Sequence, residues 1–336
     1  MPRLLAPLLL AACHATPPAA LPVAGSTAAL AGERVVEGTL ASRVVRDDAD
    51  LVIFYGGEQR GSMETCGCPK EPRGGLPRLA AYLEASVAAN PDTPWILVGG
   101  GWFLDDVIGL DGQLRADVRV ADRWMLRGLA AQGAWTALNV GFTDLPGLVD
   151  GAAEAPALPL VSANIRPRAE GVPPIADWIG VQAGAHRVGI TGISAAGVGF
   201  LPAPEYAVAP PAPAAEAALA AHADGADVVV LLAFQAIDEA RQIAERNPRI
   251  DVVIDAFHHS EVVPPFTVGG AVWVKSSHET MALGELRLWL DDGHVVRALD
   301  RKIDLDPDIP GQRAMVDIAV QAHQEIEAAE RELWGP

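Results

Sequence analysis

From Asp227 to Phe234 the chain reads DVVVLLAF, and from Asp251 to Ala256 it reads DVVIDA. Runs of this kind leave no polar face. A strand that is apolar on both sides belongs in a sheet covered above and below. Comparable runs recur at Leu51–Tyr55, Pro94–Val98, Trp135–Val140, Pro159–Asn164 and Arg187–Ile193. Helical spacing separates them. Leu76, Leu79, Ala80, Leu83 and Val87 share one face, as do Val118, Ala121, Met125 and Leu129 within Arg115–Gln132. Further helices are expected at Pro213–Ala223 and Ile237–Arg246, and a proline-punctuated loop at Pro202–Pro213. After Pro264 the pattern changes. Ala271–Lys275 and Leu283–Leu290 read as extended, and Asp292-Gly293 makes a hairpin turn into Val295–Leu305. A closing helix, Gln312–Trp334, is expected to bury Met315, Ile318, Ala322, Ile326 and Leu333. A β–α alternation followed by an antiparallel block predicts an α/β fold with two sheets sandwiched between helices.

The strongest chemical statement lies between Gly61 and Asn90, GSMETCGCPKEPRGGLPRLAAYLEASVAAN. It sits between a buried strand and a helix whose first turn holds Pro77, where a missing N–H costs nothing. Loops after strand carboxyl ends are where open α/β sheets bind ligands. Glu64, Cys66 and Cys68 form a carboxylate-and-thiol cluster in that loop.

The chain has 336 residues and a formal charge of −18, which repels phosphate backbones and argues against a nucleic-acid partner. It begins MPRLLAPLLLAAC, with Arg3 as a positive start and Leu4–Ala12 as a short apolar segment. Leu10-Ala11-Ala12-Cys13 is similar to a bacterial lipobox, which implies a signal peptide over 1–12 and a lipidated Cys13. The competing reading is a plain signal peptide with an incidental cysteine. Residues 13–45, rich in Ala and Pro at their start, are expected to form a tether, and 46–336 a single domain. The expected place is the periplasmic face of a membrane, reached through the lipid. His14 stands where an Asp retains many lipoproteins at the inner membrane, which favours the outer one.

LPLVSANI (158–165), RVGITGI (187–193), ADVVVLLAF (226–234), RIDVVID (249–255) and ALGELRLWL (282–290) come in an order that resembles the calcineurin-like metallophosphoesterases, specifically the N-terminal domain of 5′-nucleotidases. Cys66-Gly67-Cys68 followed by Gly74-Gly75-Leu76 resembles a lipoprotein subgroup of that family. The resemblance implies a four-layer αββα sandwich with two mixed sheets. It also implies two metal ions, held by Asp, His and Asn, that activate water against a phosphate ester. The motifs carry over badly. Asp-x-His-Gly falls on Glu58-Gln59-Arg60-Gly61, and Gly-Asp falls on Gly101-Trp102. Gly-Asn-His-Glu falls on Gly141-Phe142-Thr143-Asp144, a further His near Phe234, and Gly-Gly-His-x-His on Asp255-Ala256-Phe257-His258-His259. Glu58, Arg60, Trp102, Phe142, Thr143, Phe234 and Phe257 are therefore degenerate positions, and His259 is left as the retained ligand.

What remains at the expected mouth is Glu64, Cys66, Cys68, His258, His259, Lys275 and His278. Two thiolates with imidazole suit Zn or Cu(I), so Cys66, Cys68, His259, Glu64 and His278 are the candidate metal ligands. A local structural disulfide between Cys66 and Cys68 competes with that reading. The plainer reading is a surface or hydrogen-bonded histidine for His258 and His259, a polar loop for His278 and a solvated loop carboxylate for Glu64, and His323 reads as a helix-surface residue. The expected function is a lipid-anchored, exported, non-hydrolytic binding or assembly protein whose protein partner the sequence does not identify. The alternatives are an active or rewired metal-dependent phosphoesterase and a thiol–disulfide redox protein. Closure on a single helix leaves no room for a C-terminal nucleotide-recognition domain, which weighs against nucleotide specificity.

Overall fold

The computed structural model describes residues 28–65, 70, 72–155, 158–196, 203–257 and 263–335. The chain enters through β1 (Ala29–Val36) and the single turn α1 (Leu40–Arg43). Next come β2 (Leu51–Gly56), α2 (Leu76–Ala89), β3 (Trp95–Gly99), α3 (Ala116–Gln132), β4 (Ala137–Asn139), α4 (Leu145–Asp150) and β5 (Leu160–Val161). A second passage holds β6 (Ile165–Pro167), β7 (Ile179–Ala183), β8 (His186–Ser194), β9 (Tyr206–Val208), α5 (Pro211–His222), β10 (Val228–Phe234), α6 (Ile237–Arg246) and β11 (Val252–Asp255). The last part holds β12 (Phe266–Val268), β13 (Ala271–Lys275), β14 (Ala282–Asp291), β15 (His294–Asp304) and α7 (Arg313–Trp334).

Two mixed sheets carry the fold. One runs β1-β15-β14-β2-β3-β4-β5, the other β12-β13-β11-β10-β8-β7, and β6 pairs with β9 alone. Three apolar layers separate the elements. Leu51, Ile53, Val98, Ile190, Leu232, Ile254 and Val274 fill the space between the two sheets. Leu79, Leu83, Met125, Leu129 and Met315 lie under α2, α3 and α7 on the outside of the first sheet. Ala215, Leu219, Ala240 and Ile243 cover the second sheet from α5 and α6. This is the four-layer αββα sandwich. The wholly buried run of β10, with every residue inside, lies between β8 and β11, both parallel to it. Asp292 and Gly293 take φ of 49° and 77°, so the β14–β15 hairpin turns with two left-handed residues, the combination that matches strand twist.

Three expectations change. Residues 29–36 lie inside the span expected as a tether, yet they form β1, paired in parallel with β15. The Pro202–Pro213 loop carries β9 and the first residues of α5. On α7 the buried stripe is Met315, Ala319 and Ala322, whereas Ile318 and Ile326 are half-buried and Leu333 is 40% exposed. Among the described residues no helix is long and apolar enough to cross a membrane.

Candidate functional site at the common rim of the sheets

β2, β3, β4 and β5 run parallel, as do β8, β10, β11 and β13. Their carboxyl ends meet on one rim. Asn139 at the end of β4 donates from Nδ2 to Gly100 O (2.8 Å) and Ile193 O (3.1 Å), tying the first sheet to the second. Phe142 N–H donates to Ser194 Oγ at 2.8 Å across the same junction. The loops after β2 and β3 stay paired beyond the strands: Glu58 N–H donates to Gly101 O, Arg60 N–H to Trp102 O and Gly61 N–H to Phe103 O.

This pairing sets four rings against one another. Phe234, wholly buried, lies edge-on to Trp102 with centroids 5.9 Å apart, 5.6 Å from Phe142 and 5.1 Å from Phe257. Glycine makes room for it. A Cβ on Gly101, whose φ is +125°, would stand 3.0 Å from Phe234, and one on Gly141 would stand 2.6 Å from it. Arg60 completes the cluster with its guanidinium carbon 4.1 Å from the centre of the Trp102 ring.

A polar chain runs alongside. His278 Nδ1 is 2.9 Å from Glu58 Oε2, and its Nε2 is 3.2 Å from Glu279 Oε1. Arg60 reaches the same Glu279 oxygen at 3.7 Å. Glu58 is 2% exposed and its other oxygen has no hydrogen-bond partner among the described residues. Beneath the loop, Asp144 accepts from Trp102 N–H (3.0 Å), Leu104 N–H (2.9 Å) and Gly141 N–H (2.7 Å). Complete burial outweighs those bonds and pushes its carboxyl up to about 7. Burial also raises Asp105 and, more strongly, Asp122, whose Oδ1 accepts from Asp105 N–H.

The sequence-predicted ligands part company here. His278 joins Glu58 and Glu279, while Glu64 pairs with His323 of α7, Oε2 to Nδ1 at 3.0 Å. Cys13, Cys66, Cys68, His258 and His259 lie outside the described residues. Among the described residues no three His, Cys, Asp or Glu side chains form a group that could hold a metal ion. The degenerate positions, in contrast, come together: Glu58, Arg60, Trp102, Phe142, Phe234 and Phe257 make one cluster, with Thr143 buried behind Phe142 in sequence. Phenyl and indole rings offer no lone pair to a hard cation, and guanidinium is itself a cation. These side chains do not fit a pair of divalent ions. Sequence reasoning missed the Arg60–Trp102 stack, the Glu58–His278 pair and the partnership of Glu64 with His323. The ring positions were visible as aromatic replacements, but their mutual packing needs three loops and the end of β10, from two sheets.

No protein-family profile matches the chain, and no curated protein matches it. Solved structures do. The sulfate thiohydrolase SoxB of Thermus thermophilus aligns with a TM-score of 0.69 at 16% identity, over 84% of this chain and 62% of that one. A 5′-nucleotidase precursor, also from Thermus thermophilus, gives 0.66 at 20% identity, over 83% and 59%. The calcineurin-like phosphoesterase YfkN of Bacillus subtilis gives 0.63 at 17% identity, over 84% and 99%. The chain thus spans about six-tenths of the length of the first two proteins. What it shares with all three is the fold.

Proposed function

We propose that this chain, which carries the calcineurin-like phosphoesterase fold, is a non-hydrolytic binding or assembly protein. One observation carries the reading. Trp102, Phe142, Phe234 and Phe257 fall where the resemblance places metal ligands, and they pack into a single aromatic cluster. A two-metal hydrolase needs oxygen and nitrogen donors at those points to activate water and clamp a phosphate ester. Packed rings occupy those points without offering such donors. The test is phosphodiester turnover by the purified chain supplied with Mn²⁺ or Zn²⁺, beside metal content after desalting. Turnover no faster than free metal supports the reading. Two retained equivalents of metal with turnover abolished by EDTA would end it.

Lipidation at Cys13 and a soft-metal site at Cys66 and Cys68 belong to the same proposal and rest on sequence. Elemental analysis of the chain beside a Cys66→Ser, Cys68→Ser variant tests the second. Near-stoichiometric Zn or Cu that disappears in the variant supports a thiolate site; equal metal in both chains removes the thiols from it.

A further inference from the structure

We propose that Arg60, at a position the resemblance gives to a metal ligand, is a built-in cation that helps tie the rim loops together. This goes beyond the non-hydrolytic reading, because it states what holds the rim in shape.

The backbone first shows that something must. Glu58, Arg60, Trp102, Glu279 and Thr280 have φ of 53°, 52°, 58°, 48° and 53°, the left-handed region that side chains avoid. Among the described residues the only other non-glycine with positive φ is Asp292, in the β14–β15 turn. Five such residues in three neighbouring loops persist only where surrounding contacts over-determine them. Backbone pairing of the loops after β2 and β3 supplies part of those contacts, and the Arg60 guanidinium adds the side-chain part. Arg60 stacks on Trp102 at 4.1 Å and pairs with Glu279 at 3.7 Å. Glu279 in turn meets His278 at 3.2 Å, and His278 meets buried Glu58 at 2.9 Å. The positive charge of Arg60 also acts on the half-buried Asp105. A planar cation with one face on a ring and its edge toward a carboxylate suits this place better than an ammonium would. Arg60 thereby links the loops after β2 and β3 to the 3₁₀ turn at His278–Thr280.

Thermal unfolding of the full chain tests this with Arg60→Gln, Glu279→Gln, the double variant and Arg60→Lys. With Cys66 and Cys68 replaced by Ser, the Tm is expected to be the same in EDTA and in millimolar Mn²⁺. Each single Gln variant is expected to lose about 1–2 °C, the shift that a part-exposed ion pair gives in a chain of this size. The double variant is expected to fall by less than the sum of the two single losses, because both singles remove the shared Arg60–Glu279 contact. Arg60→Lys recovers less than half of the loss. Intrinsic tryptophan emission should shift in Arg60→Gln, and the shift should vanish when Trp102 is replaced by Phe. Additive losses, or an unchanged Tm in both single variants, overturn the proposal. If Arg60→Gln does not fold, Glu279→Gln decides alone: an unchanged Tm and unchanged fluorescence overturn it. A Tm that EDTA lowers in the Cys66→Ser, Cys68→Ser background also overturns it. Phosphodiester turnover would instead sink the non-hydrolytic reading and leave the Arg60 contacts to be judged by these variants.

Discussion

Phe234 is wholly buried and touches Trp102, Phe142 and Phe257, so its ring is the common neighbour of the rim. Truncating it leaves a cavity bounded by three other rings, which cannot all collapse inward because each belongs to a different loop. Phe234→Ala is therefore expected to cost about 3–5 kcal/mol in urea unfolding, the range for large-to-small core changes. It should also change near-UV circular dichroism through Trp102; a loss below about 1 kcal/mol would mean that the rings do not pack as a unit. Gly101 supports the same ring from the other side. Its φ of +125° and the 3.0 Å approach to Phe234 make Gly101→Ala unfavourable twice, by backbone and by contact. We expect more than about 1 kcal/mol of destabilisation there, against near-neutrality for Gly225→Ala, where an added Cβ meets nothing within 4 Å. At this scale the sequence displayed the residue types but not their meeting. Phe142 and Phe257 are 115 positions apart, and only the convergence of β4 and β11 ends brings them to one neighbour. Glu64 and His278 show the converse: spacing after strands placed both on a rim, yet folding gave each a different partner.

Elements were legible where burial had written itself into composition. β10 is apolar throughout, and β11 is apolar up to its last residue, Asp255, because both are covered on both faces. β1 was hidden because most of its side chains stay exposed. What binds β1 is the backbone ladder to β15 together with Glu33 Oε2, which accepts from Arg301 Nε at 2.9 Å. Neither leaves an apolar pattern. The last helix shows how periodicity can select the right face and still misjudge its length. Met315 is 3% exposed under α7, whereas Leu333 at its far end is 40% exposed. Met315→Ala should thus cost about 2–3 kcal/mol, and Leu333→Ala should stay within about 0.5 kcal/mol. Equal effects from both in chemical denaturation would restore the longer stripe. Trp124 explains why α7 runs on past its buried stripe, since its Nε1–H donates to Glu325 at 2.9 Å and fastens the helix to α3 by a polar contact.

For the molecule as a whole, the buried carboxyls set the pH at which it is most stable. Burial is the leading cause of each upward shift: Asp144 to about 7, Asp251 to about 6, Asp122 well above the usual carboxylate range, and Asp105 and Asp304 upward. In the unfolded chain the same groups titrate near about 3.9. Between about pH 4 and 7 the folded state therefore holds more protons than the unfolded one, and stability falls as pH rises through that window. Above about 7 the contributions of Asp144 and Asp251 are spent. Asp48 and Asp227, which shift downward through bonds from Trp289 and Arg187, act only below about pH 4 and do not oppose the trend. The net charge of −18 acts in the same direction, because protonation on acidification relieves self-repulsion. We therefore expect Tm to be several degrees higher at pH 5 than at pH 8, the size that a few kcal/mol gives in a chain of this length. Asp251 offers a clean dissection. Its Oδ2 accepts from Val229 N–H at 2.8 Å, a bond that an amide oxygen can also accept. Asp251→Asn should keep the fold and lessen the slope between pH 5 and 7. A Tm maximum at pH 7 or above would mean that these carboxyls are ionised without penalty in the fold. A slope unchanged in Asp251→Asn would move the effect to Asp144 and Asp122 at the base of the rim.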